Sequence, residues 1–204
     1  GTNSYYEEPH LASFMGRFNY TYADRYILTV NARTDASSKF GNNHKWGFFP
    51  SVSAAWAVSE EKFMKRIPLV DNLKLRVGYG LAGNQNGIDS YTTLRLVRPN
   101  GVVPVGNSAV VTLGEMQNIN PDLKWEVKHT FNAGADLGMF GNRLLFSINY
   151  YNSKTTDMLY LYNVSVPPFA YNTLLANIGS MRNSGTEIAI GITPLKTRDM
   201  ELRN

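Results

Sequence analysis

The sequence predicts an all-β chain: an antiparallel transmembrane β-barrel, present as an incomplete arc of about seven long strands. Three observations predict it. Apolar and polar side chains alternate with period two over segments of up to about ten residues or more. The connections are mostly short at one end and long at the other. Aromatic residues collect near the strand ends on the apolar side.

The first segment sets Phe14, Phe18, Tyr20 and Tyr22 against Ser13, Met15, Arg17, Asn19 and Thr21. After a tight Ala23-Asp24-Arg25 turn, the second places Tyr26, Leu28, Val30 and Ala32 opposite Ile27, Thr29, Asn31 and Arg33. The third has Phe48, Val52, Ala54, Trp56 and Val58 on one side and mostly Ser and Ala on the other. In the fourth, Leu73, Leu75, Val77, Tyr79 and Leu81 alternate with Lys74, Arg76, Gly78 and Gly80. The fifth, 123–137, carries Leu123, Trp125, Val127, Phe131, Ala133, Ala135 and Leu137 on its apolar side, interrupted only by His129. Its polar side holds Lys124, Glu126, Lys128, Thr130, Asn132 and Asp136. The sixth sets Leu144, Phe146, Ile148 and Tyr150 against Ser147, Asn149 and Tyr151, with Leu145 out of pattern. The seventh sets Ile188, Ile190 and Ile192 against Glu187, Ala189 and Gly191.

Between the third and fourth strands, "SEEKFMKRIPLVDN" predicts one helical turn begun at Ser59, with Glu60 and Glu61 near its positive end. A connection from Gly83 to Asp122 joins the fourth strand to the fifth, "GMFGN" joins the fifth to the sixth, and a long loop with Pro167 and Pro168 precedes the seventh. Tyr20, Tyr22, Tyr26 and Trp56 fall near the short-turn ends, and Phe48, Trp125 and Tyr150 toward the long-loop ends, as two interfacial belts would require. Alternation alone also fits a soluble β-sandwich with one apolar face per sheet. Strand length, loop asymmetry and the belts favour the barrel. A lipid-facing sheet must close to pair every backbone group. Seven strands ending at "TPLKTRDMELRN", where a short turn is due, are therefore expected to be part of a larger wall.

Composition narrows the chemistry. The 204 residues contain no cysteine, which excludes disulfide frameworks, thiolate metal sites and cysteine nucleophiles. The net charge of +4 comes from scattered Lys and Arg, so no nucleic-acid patch is expected. No apolar run approaches the ~20 residues of a membrane helix. The opening "GTNSYYEEPH" has no basic n-region or apolar h-region, and reads as an excerpt rather than a natural start.

Gly78-Tyr79-Gly80-Leu81-Ala82-Gly83 matches G-x-G-x-x-G, the dinucleotide turn. That motif must open a helix and be followed about 20 residues later by a carboxylate. Here the alternation runs straight through the glycines into a loop and then "RPNGVV", so the match is coincidental. His10, His44 and His129 lie far apart, Glu7–Glu8 and Glu60–Glu61 are not positioned acid–base pairs, and no nucleophile elbow is present. No enzyme, cofactor or metal site is expected. Binding is the realistic chemistry. Long-loop aromatics Trp46, Tyr91, Tyr160, Tyr162, Phe169 and Tyr171 are candidates for stacking on sugar faces or touching a lid protein, with loop packing as the simpler role for any one. Asn84, Gln85 and Asn86 are candidates for hydrogen bonding a hydrophilic solute, with turn formation as the simpler role.

Six phrases, in order, resemble the SusC/RagA family of TonB-dependent outer-membrane transporters of Bacteroidetes. They are "GRFNYTYADRYILTVNARTDASSKFG", "KWGFFPSVSAAWAVSEEKFM", "LKLRVGYGLAGNQ", "NPDLKWE", "NRLLFSINYYNSKTTDML" and "NIGSMRNSGTEIAI". They cover nearly the whole chain. The resemblance implies the C-terminal half of a roughly 22-stranded barrel, with residues 1–204 a partial barrel domain and the plug domain and TonB box outside this sequence. It implies import of oligosaccharides, or of peptides, under a SusD-like surface lipoprotein, energised by TonB–ExbB–ExbD through the missing N-terminal part. Arg17, Arg33, Arg76, Gly78 and Gly80, with Lys74, Lys124, Glu126, Lys128 and Asp136, are then expected on the lumen side, and the apolar row against outer-membrane lipid. The bare backbone at Gly78 and Gly80 is expected either to admit the plug or substrate closely or to relieve crowding. A siderophore or vitamin receptor of the TonB-dependent class and a soluble carbohydrate-binding module are the alternatives.

Overall fold

The computed structural model describes residues 8–41, 43–193, 195–196 and 201–202. Glu7 of the Glu7–Glu8 pair and most of the closing stretch after Thr193 lie outside the described residues. Alternating segments become one antiparallel sheet of β1 (Leu11–Tyr22), β2 (Tyr26–Ser37), β3 (Trp46–Ala57), β4 (Val70–Asn84), β7 (Glu126–Met139), β8 (Leu144–Asn163) and β9 (Thr173–Ile192). Inserted between β4 and β7 is a separate hairpin, β5 (Val97–Val105) and β6 (Ser108–Glu115). A two-residue pair, β10 (Leu195–Lys196) with β11 (Glu201–Leu202), follows β9. Neighbours in the main sheet are therefore neighbours in sequence, apart from that insertion.

Short turns close one end. Ala23 and Asp24 take φ of 51° and 53°, and Arg25 N donates to Tyr22 O at 3.0 Å. Two successive residues of positive φ match the right-handed twist of the flanking strands. Phe140, Gly141 and Asn142 do the same between β7 and β8.

Register aligns the side chains in rows. Leu28, Ala54, Val77, Ala133 and Tyr150 form one, and Tyr26, Trp56, Leu75, Ala135, Ile148 and Ile188 the next. A soluble sandwich would bury these rows under a second sheet. Instead Phe18 is 60% exposed, Val77 46% and Ile190 62%. Such a face is stable only against hydrocarbon, which fixes the sheet as an arc of a membrane barrel. Toward the long-loop end charge appears on this face, where Lys154 pairs in register with Arg182.

Beyond Ser51 and Gly80 the sheet divides. β3 stops pairing with β4 there, while β2–β3 continues to Ala36/Trp46 and β4–β7 to Asn84/Glu126. Phe49 fills the gap, and a Cβ on Gly47 or Gly83 would overlap its ring. Around it pack Phe40, Ile88, Leu123 and Trp125, a small core beneath the long loops. Two expectations are corrected here. Leu123 and Trp125 precede β7 rather than belonging to it, and Trp125, 6% exposed, is a core ring and not part of a lipid belt. Its indole Nε1 donates to Lys45 O at 3.2 Å, tying this strand entry to the β2–β3 loop.

The helical turn expected at Ser59 is two 3₁₀ turns, Val58–Glu60 and Met64–Arg66, with no side-chain cap. Glu61 between them is drawn elsewhere, accepting from Tyr26 Oη at 2.7 Å, Trp56 Nε1 at 3.3 Å and Arg25 Nη1 at 3.2 Å. β8 and β9 are also longer than the alternation suggests, with 20 residues each. A membrane-spanning strand needs about 9–11, so their upper halves stand clear of the bilayer. A bulge with Asp157 at φ 56° marks the change of register.

Candidate binding surfaces

The polar face is a hydrogen-bonded ladder. Arg17 Nε donates to Asn31 Oδ1 at 2.7 Å, and Asn31 Nδ2 donates to Ser51 Oγ at 3.0 Å, linking β1, β2 and β3 in one row. Arg33 Nε reaches both oxygens of Asp35, at 2.8 and 2.9 Å. On β4, Arg76 pairs with Asp136 at 2.8 and 3.0 Å and with Asn149 at 2.8 Å, while Ser147 Oγ donates to Asp136 at 2.8 Å. Arg76 and Asp136 thus satisfy each other across strands, Arg33 and Asp35 along one strand, and Arg17 bonds to an amide.

Gly78 and Gly80 lie on the same face but differ. A Cβ at Gly80 would meet Ser51 Cβ at 2.8 Å, which is too close, so there the missing side chain relieves crowding. At Gly78 the nearest atom is Ser53 Cβ at 3.4 Å, an ordinary contact. Gly78 lines an open cleft of about 320 Å³ with Thr29, Ser53, Arg76, Asn132 and Gly134.

At the long-loop end a second cleft, about 350 Å³, is lined by Asp89, Thr92, Gln117, Asn118, Tyr171 and Thr173, among others. Asn118 builds it. Its amide donates to Tyr171 O at 2.6 Å and Thr173 O at 2.8 Å, and its oxygen accepts from Ala170 N and Tyr171 N, both at 3.1 Å. Asn120 Nδ2 donates to Leu175 O at 3.0 Å. Because Asn172 O accepts from Val164 N, just past the end of β8, the carbonyls of 171, 173 and 175 face away from that strand. The two asparagines therefore cover the far edge of β9.

The candidate solute-binding residues separate by place. Tyr171 sits in this cleft with its hydroxyl donated to Glu115 O at 2.6 Å, and Phe169 lines a neighbouring hollow with Arg95 and Glu115. Tyr91 takes φ 67° and accepts from Leu94 N at 2.9 Å and from Gln117 Nε2 at 3.4 Å, so its backbone shapes the cleft wall. Asn84 is engaged by Glu126 at 2.7 Å and Asn86 N at 3.0 Å, and Gln85 O closes a turn to Ile88 N at 3.2 Å. Tyr160 lies on the opposite face of β8 from Leu161, which lines the cleft. Trp46 stands on the apolar face beside Phe48 and stacks on Phe14, centroids 6.3 Å apart. Gln117, Asn118 and Thr173 were not among the sequence candidates. One signal was legible: Asn118 and Asn120, two apart, present both amides on one side of an extended segment.

A family model described as TonB dependent receptor-like, beta-barrel, matches residues 1–200. The chain belongs to that family. Among its relatives, the TonB-dependent receptor P26 of Formosa agariphila is 40% identical over 193 residues, covering 92% of this chain and 19% of the relative. The TonB-dependent receptor SusC of Bacteroides thetaiotaomicron is 35% identical over 217 residues, covering 98% of this chain and 22% of SusC. The solved RagAB peptide importer in its open-open state superposes with a TM-score of 0.83 at 30% identity, over 96% of this chain and 21% of that one. The chain thus spans about a fifth of the length of the receptors it matches. This TonB-dependent receptor barrel segment lies in the outer membrane, with its apolar rows to lipid, and its family is one of receptors and transporters rather than enzymes.

Proposed function

We propose that this segment lines the lumen and part of the outer mouth of a TonB-dependent importer of a polymeric nutrient, an oligosaccharide or a peptide. In this reading the polar ladder of Arg17, Arg33, Arg76 and Asp136 faces a plug domain encoded outside this sequence. The plug is pulled by TonB–ExbB–ExbD, and a SusD-like surface lipoprotein covers the mouth. The observation that carries the proposal is the sidedness of the sheet. One face is exposed hydrocarbon, and the other is a polar wall, with Arg76, Asp136 and Asn149 bonded to one another, along which a hydrated solute can pass. The likeness to a peptide importer at 30% identity supports a polymer rather than a metal chelate.

Tyr171, Phe169, Asp89 and Gln117 are the residues at the outer cleft best placed to meet such a solute, and Gly78 the position on the wall where one passes most closely. The test is uptake by cells expressing the full-length receptor, offered labelled oligosaccharides, labelled oligopeptides and a ferric siderophore. Saturable, TonB-dependent uptake of one of the first two, weakened in Tyr171→Ala, is expected. Uptake of the siderophore alone would overturn the proposal.

A further inference from the structure

The 58–69 connection between β3 and β4 lies at the short-turn end, the periplasmic end of such barrels. Its placement is set by Glu61, whose two oxygens are held by Tyr26, Trp56 and Arg25. Tyr26 and Trp56 stand on the apolar face, stacked with centroids 6.2 Å apart. The connection is therefore folded outward, over the lipid side of the wall. Met64 is buried, whereas Lys62, Phe63, Lys65 and Arg66 are exposed, with Ile67 beyond them. Three exposed cations stand here against one exposed carboxylate, Glu60, because Glu61 is already taken up by Arg25.

Beside Tyr26 and Trp56, the two rings that hold Glu61 next to these cations in the chain, the apolar face is dented. Ala54 is flanked in register by Leu28 and Val77, and the missing bulk opens a groove of about 380 Å³, walled also by Tyr26, Trp56 and Leu75. The groove runs from the aromatic belt into the hydrocarbon. Exposed cations near an apolar slot complement a phospholipid, whose phosphate is anionic and whose acyl chain is apolar.

We propose that this is a binding site for an anionic phospholipid of the periplasmic leaflet, with one acyl chain along Ala54 and the headgroup at Lys62, Lys65 and Arg66. The two parts contribute differently. Surrounding lipid is as apolar as the groove, so the groove supplies fit rather than transfer from water. Selectivity comes from the cations, each worth about fivefold toward an anionic lipid. The site depends on the barrel and its orientation, not on what the receptor imports.

The test uses the full-length receptor in nanodiscs of mixed phosphatidylglycerol and phosphatidylethanolamine, with retained lipid quantified after purification in detergent. Wild type should retain phosphatidylglycerol in excess of its share. Lys62→Gln, Lys65→Gln and Arg66→Gln should each lower that preference about fivefold. Ala54→Leu should lower retention of both lipids while leaving their ratio unchanged. If the combined Gln variant fails to assemble, high salt on the wild type should abolish the preference by screening. Soluble glycerol phosphate should not displace the lipid. Equal retention of both lipids by wild type, a preference unmoved by the charge changes or by salt, or displacement by glycerol phosphate would each overturn the proposal.

Discussion

Arg76 on β4 donates to Asn149 on β8 at 2.8 Å, across the whole width of the intervening β7. The crossing is possible because the residue between them in register is Gly134. A Cβ there would overlap the Asn149 side-chain oxygen and sit 3.2 Å from Arg76 Nη2. Two strands that never pair are thus joined through a missing side chain.

Gly134→Ala should push Arg76 off Asn149 and destabilise the barrel by about 1–3 kcal/mol, the cost of stranding a partly buried polar group. Denaturant unfolding of the full-length receptor in detergent measures it. The same change in an Asn149→Ala background should cost clearly less, because the bond is already gone. Equal costs in both backgrounds would mean that Gly134 serves another purpose.

Gly78 and Gly80 should separate. Gly80→Ala forces Ser51 to move and should lower the fraction of folded barrel in the outer membrane, with Ser51→Gly restoring it. Gly78→Ala should assemble normally. Any loss of uptake in Gly78→Val with assembly intact would then report a solute or plug passing the wall.

The Tyr26 hydroxyl, followed by Trp56 and Arg25, holds the Glu61 carboxyl below its ordinary 4.5. A carboxyl lowered in this way stabilises the fold above its unfolded value, and the contribution is lost as pH falls through the folded value. The 58–66 connection should therefore exchange amide protons faster in Glu61→Gln than in wild type at neutral pH, and the difference should close below 4.5. A gap that persists in acid would show that the carboxylate charge is not what anchors the turn.

Trp125→Ala should open the loops without opening the barrel. Removing a buried Trp costs about 3–5 kcal/mol, and here that loss falls on the small cluster of Phe40, Phe49, Ile88 and Leu123, with Leu81, Val127, Leu159 and Leu175 packed against it. Limited proteolysis of whole cells should cut residues 38–45 or 85–125 faster, while detergent-resistant barrel migration stays unchanged. Loss of the folded barrel instead would mean that this core supports the sheet below it.

By itself, the sequence determined the two faces. Period-two alternation is a local property, and Phe18, Leu28, Val77 and Arg17, Asn31, Arg76 fall on opposite sides wherever the chain is placed. Loop asymmetry and the absence of charge along the apolar rows then told membrane from water. Alternation is silent on partners, and there the tertiary structure decided. Trp125 keeps the parity of a lipid-facing residue but is buried, because β3 and β4 part beyond Ser51 and Gly80 and a core forms in the gap. Glu61 has the position of a first-turn helix charge, yet three donors from β2, β3 and the turn before β2 claim it. The β5–β6 hairpin and the upper halves of β8 and β9 escaped the pattern because they stand outside the bilayer, where no hydrocarbon enforces a strict alternation. Lipid writes a period into sequence; packing between distant segments leaves no such regular mark.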